Sequence, residues 1–79
     1  MIVVLRERGL RVLIYRFDHE PPHVHVIGDG IAKIILTGAD SRPELVYAKG
    51  MNTAEQRRAM KAVREAQLQL LQHWRDIHG

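Results

Sequence analysis

The chain contains no cysteine. Disulfide staples and thiolate metal sites are therefore excluded, and a core of ordinary side chains must carry the fold. Long apolar runs are missing as well. The apolar start of MIVVLRERG is cut off by charge at Arg6, too early for a signal peptide, and no stretch approaches a membrane span. The expected setting is the cytoplasm. No nucleophile elbow, phosphate-cradling glycine loop, dinucleotide fingerprint or zinc-finger spacing occurs. Gly28-Asp29-Gly30 reads as a turn rather than a cofactor loop. With no internal repeat, linker or low-complexity stretch, residues 1–79 form a single domain.

What is present is the composition of a folded protein, 46% hydrophobic and 27% charged. A domain of 79 residues buries little surface, so its net stability is only about a few kcal/mol. Small unstapled domains gain stability by association, and a homo-oligomer or a small partner protein is expected. The formal net charge of +3 favours an anionic partner, RNA included, without specifying one.

Alternating and β-branched runs place strands at Ile2–Leu5 and Leu10–Phe17, joined through the charged turn Arg6-Glu7-Arg8-Gly9. Both faces of Leu10–Phe17 are largely apolar, which marks a central strand. Pro21 and Pro22 lack N–H groups and break the chain before a third strand, His23–Ile27. Ile31–Leu36 is the fourth. A two-residue Asp29-Gly30 loop would set the valines opposite Lys33. A three-residue Gly28-Asp29-Gly30 loop sets Val24 opposite Ile34, Val26 opposite Ala32 and His25 opposite Lys33. The second register separates polar from apolar residues and is preferred. Thr37–Pro43 is a polar connection, Glu44–Ala48 a short edge strand, and Lys49-Gly50 a turn.

Asn52 or Thr53 can cap a helix, with Glu55 or Gln56 completing a capping box. Nothing breaks the helical pattern from residue 52 to 77, where Met60, Val63, Leu70, Trp74 and Ile77, with Ala59 and Ala66 beside them, form one apolar stripe. The expected fold is α+β: a small antiparallel sheet of four to five strands over residues 1–48, covered on one face by a single long helix over 52–77. Such a helix is about 37 Å long. It outreaches the sheet, so Leu71 and Trp74 are expected to overhang towards a second subunit.

The stretch Asp18–Ile27, DHEPPHVHVI, gathers chemistry-bearing residues around a double proline. Its motif residues are Asp18, His19, Glu20, Pro21 and Pro22, followed by His23 and His25 on one strand face. Three readings compete. With His19 or Asp18, the His-x-His pair has the donors of a zinc-like site. No second-shell plan is visible, however, and neither a metal nor a cofactor is expected. Alternatively, His23 and His25 with Lys33 are the catalytic candidates for metal-independent RNA cleavage. One imidazole would take the 2′-hydroxyl proton, the other would protonate the leaving oxygen, and Lys33 would offset phosphorane charge. In the third reading the histidines are structural, bonding Asp18 or Glu20 and pinning the proline turn.

PPHVHV at Pro21–Val26, the aromatic strand Ile14-Tyr15-Arg16-Phe17 before it, Ala32-Lys33-Ile34 after it and the helix with Leu70 and Trp74 resemble the domain of unknown function 4160 family. The resemblance covers nearly the whole chain. It implies a small α+β domain in a bacterial cytoplasm, commonly encoded beside another small protein in a toxin–antitoxin-like arrangement. It implies no reaction.

Arg57, Lys61 and Arg64, with Arg58 nearby, share a helix face. They are either a phosphate-binding stripe for nucleic acid or a solvated surface. Tyr15, Phe17 and Tyr47 are able to stack bases where exposed. The leading expectation is a protein-interaction component of a two-gene system, with a ribonuclease-type toxin or RNA-binding module using the PPHVHV face as the alternative.

Overall fold

Hairpin turns set the sheet. In the computed structural model, which describes residues 2–38 and 41–79, Arg8 and Gly9 both have positive φ (52° and 78°). A two-residue type I′ turn requires this, and its twist matches that of the strands it joins. It pairs β1 (Ile2–Glu7) with β2 (Leu10–Ile14), with an irregularity between Val3 and Leu5. The second hairpin adopts the three-residue loop. β3 (His23–Ile27) meets β4 (Ile31–Ile35) with Val24 opposite Ile34, Val26 opposite Ala32 and His25 opposite Lys33. A fifth strand, β5 (Glu44–Lys49), pairs with β4 and completes an antiparallel sheet in the order β1-β2-β3-β4-β5. The polar connection from Thr37 to Pro43 is described except at residues 39 and 40, which lie outside the described residues.

β2 ends at Ile14, three residues earlier than the alternation suggests. The cause is Asp18. Its carboxylate accepts the Tyr15 N–H at 3.3 Å while its own N–H donates to the Tyr15 carbonyl at 3.1 Å. These bonds satisfy the backbone in a turn and draw it out of the ladder.

One sheet face supplies the core. Val12, Ile14, Val24, Val26, Ala32 and Ile34 are fully buried there. Ala59, Val63, Leu70 and Trp74 cover them from the helical side. Each large aliphatic side chain so buried stabilises the fold by about 1.5–3 kcal/mol before entropy is counted.

The single long helix is corrected to two, α1 (Thr53–Glu65) and α2 (Gln67–His78). Ala66 between them has φ −105° and ψ 13°, although alanine is the best helix former. The break is tertiary. The Gln67 side chain is buried and ties α2 to the loop after β4, accepting the Thr37 N–H at 2.8 Å and donating to the Gly38 and Ser41 carbonyls. This anchor and the twist of a five-stranded sheet oppose one straight axis. The expected overhang is corrected with it: Trp74 is only 3% exposed and packs on its own chain, and Leu71 packs against the core.

Asn52 caps α1, its Oδ1 accepting the Glu55 N–H at 2.8 Å. The Glu55 carboxylate does not close a capping box. It is buried, and it accepts the N–H groups of Asp29 (3.1 Å) and Gly30 (3.2 Å), latching the β3–β4 turn to the helix. Gly28 permits that approach, since a Cβ there would press on the Glu55 carboxylate and the Leu10 side chain, while Gly30 lets the same turn pass against the Lys49 carbonyl and the Gly50 backbone. Among the described residues no helix is long and apolar enough to cross a membrane.

Candidate functional site

Strand alternation puts His23 and His25 on the sheet face opposite the core valines, and the Asp18 turn brings a carboxylate onto them. Asp18 Oδ2 lies 3.2 Å from His23 Nε2 and 3.9 Å from His25 Nδ1. On its other side His23 bonds the chain: Nδ1 is 2.9 Å from the Pro21 carbonyl. A carbonyl only accepts, so Nδ1 carries the hydrogen and Nε2 is the nitrogen turned to Asp18. The His23 side chain is 7% exposed and that of His25 12%, so neither imidazole stands open in solvent.

His25 Nδ1 is buried without a hydrogen-bond partner. Its ring meets Tyr15 edge-on at 4.7 Å and His23 at 5.3 Å. Burial above all pushes the His25 pKa below 6.5; the Asp18 carboxylate opposes the shift, while His23 and Lys33 add to it. These residues border a groove of about 360 Å³ whose lining includes Phe17, His19, Glu20, Lys33 and Val46. Phe17 is 87% exposed at its mouth. Behind the cluster, Trp74 packs its ring 5.2 Å from that of His23 and donates Nε1–H to Glu20 at 3.2 Å. His78 stacks on Trp74 and faces the Tyr15 carbonyl through Nε2 at 3.2 Å.

The structure thus brings His23, His25 and Lys33 to one groove and ties His23 to the proline turn, as the structural reading of the histidines describes. Asp18 is the carboxylate in contact with the histidines, whereas Glu20 serves Trp74. His19 is exposed on the rim.

A second concave surface lies between β5 and α1. Arg57, Lys61 and Arg64 line it with Arg42, over an apolar floor of Pro43, Leu45 and Met60, in a groove of about 460 Å³. Among the described residues none of the four cations is in an ion pair and no carboxylate lines the groove. Arg58 is not part of it; it lies 3.6 Å from the Glu55 carboxylate. Helical spacing reveals the three cations of α1 in the sequence. Arg42 joins them only through the fold, because it precedes the edge strand beside which α1 packs. Of the aromatic candidates, Phe17 is exposed, while Tyr15 and Tyr47 are half-buried.

The model of the family described as Domain of unknown function (DUF4160) matches residues 9–75. The chain belongs to that family. Membership brings no reaction with it. Neither the curated proteins nor the solved structures include a significant match.

Proposed function

We propose that this member of the family is the binding component of a two-gene, toxin–antitoxin-like pair, and that it holds an extended acidic segment of its small partner protein in the groove between β5 and α1. The observation that carries this reading is the groove itself: among the described residues it is lined by four cations and no carboxylate, over an apolar floor beside a sheet edge. An edge strand offers unpaired backbone groups to an added strand, which gives affinity, while flanking pockets and charges select its sequence. The net charge of +3 supports an acidic occupant. The two-gene setting rests on the family resemblance.

The test is co-expression with the product of the adjoining reading frame. A complex that survives size-exclusion chromatography, weakens with salt and is lost in the triple variant Arg57→Glu/Lys61→Glu/Arg64→Glu is the expected result. A complex indifferent to that charge reversal would remove the groove from the account.

The ribonuclease reading has less support, because His23 is tied through Nδ1 to the Pro21 carbonyl and neither imidazole stands open in solvent. Growth arrest by the parent protein, lost in a folded His23→Ala/His25→Ala variant, would favour it over the binding role.

A further inference from the structure

We propose that Asp18, His23 and His25 form a binding site for a zinc-like divalent transition-metal ion, held by Asp18 Oδ2, His23 Nε2 and His25 Nδ1. The three ligand atoms lie within 4.8 Å of one another. Bonds of about 2.0–2.2 Å in a tetrahedral site put neighbouring ligand atoms about 3.3–3.6 Å apart. The Asp18–His23 separation of 3.2 Å is already close to that spacing, and His25 Nδ1, 3.9 Å from Asp18 Oδ2, would move inward on binding.

Three further features point to a cation. The Pro21 carbonyl fixes the His23 tautomer with its Nε2 lone pair towards the cluster, the outer-shell bond typical of metal-ligating histidine. This partner is invisible in the sequence, where its absence argued against a metal. Tyr15 N–H donates to the same Oδ2 at 3.3 Å and so orients the carboxylate. Finally, His25 Nδ1 is a buried nitrogen with no partner, and a metal ion would relieve its cost. Two imidazoles and one carboxylate suit zinc or a neighbouring borderline ion rather than magnesium or calcium. Three protein ligands leave a position for water or another oxygen donor on the side of the groove that the cluster lines. The site shares no residue with the basic groove, so it stands or falls separately from the binding role.

The experiment is a titration of untagged, chelator-stripped protein with Co(II) and then Zn(II). One equivalent of Co(II) should give the visible bands of a four-coordinate nitrogen–oxygen site. It should also quench Trp74, the only tryptophan, whose ring is 5.2 Å from that of His23. Zn(II) should displace it. Asp18→Asn and His25→Gln should each weaken binding by about 100-fold or more, and His19→Ala and His73→Ala should leave it unchanged. Should the first two variants fail to fold, imidazole nitrogen NMR of the parent decides, with Zn(II) shifting His23 Nε2 and His25 Nδ1. No saturable binding by the parent, or metallation at His19, His73 or His78 instead, would overturn the site.

Discussion

At the scale of single residues, the buried carboxylate of Glu55 holds the β3–β4 turn to α1. Glu55 accepts two backbone N–H groups of the β3–β4 turn. Glu55→Ala leaves both donors without their acceptor and should cost about 2–3 kcal/mol in urea unfolding. A loss under about 0.5 kcal/mol, the level of an ordinary surface change, would show that the latch is not needed. His25 gives a pH dependence in the chelated protein. Its folded-state pKa lies below 6.5, chiefly through burial, so the unfolded chain takes up a proton where the folded one does not. Stability contributed by the neutral ring is therefore intact above pH 6.5 and is lost as pH falls towards the lower folded value. Asp18→Asn removes the charge opposing the shift and should steepen that loss, measured as the change in urea midpoint between neutral and mildly acidic buffer. A midpoint rising on acidification would contradict the assignment. The sequence hid both roles. Glu55 stands where a capping box wants it, and only the folded position of the β3–β4 turn reveals its other use. Asp18 shows its hold on the histidines only once its turn has formed.

At the scale of elements, the legible parts were those governed by period and turn chemistry. Segregation of Val24 and Val26 from His25 and Lys33 was enough to choose the hairpin register, because a one-residue slip would set the valines opposite Lys33 and the histidines opposite Ile34. The apolar stripe through Val63, Leu70 and Trp74 located the helical face. Its break was not legible, since Glu65-Ala66-Gln67 contains nothing that disfavours helix; the Gln67 side chain makes its bonds to a loop about 30 positions upstream. Gln67→Leu keeps the volume and removes those bonds. It should destabilise the protein by about 2 kcal/mol and raise amide exchange around Thr37 and Ser41, with α1 unaffected. Unchanged exchange at that loop would mean that Gln67 does not anchor it. Gly30→Ala is expected to be worse tolerated than either, because the added methyl has backbone and no flexible side chain to displace.

At the scale of the whole molecule, the five-stranded sheet is covered on one face and has its two outer edges at β1 and β5. The edges differ in what surrounds them. β5 is flanked by the α1 cations and an apolar floor, whereas the grooves beside β1, of about 490 and 430 Å³, each include a carboxylate, Asp18 in one and Glu7 in the other. This asymmetry is the reason to assign the partner to β5. The basic bias of the chain foreshadowed it, but the groove needed Arg42 from outside the helix to become visible. The most direct test is hydrogen exchange on the protein with and without its co-expressed partner. The account predicts new amide protection along Leu45–Lys49 of β5, reduced in high salt and absent in Arg57→Glu/Lys61→Glu/Arg64→Glu. Protection confined to β1 or to the His23–His25 groove would contradict it. So would β5 protection that appears in the protein alone and grows with its concentration, which would make a second copy of the chain the occupant.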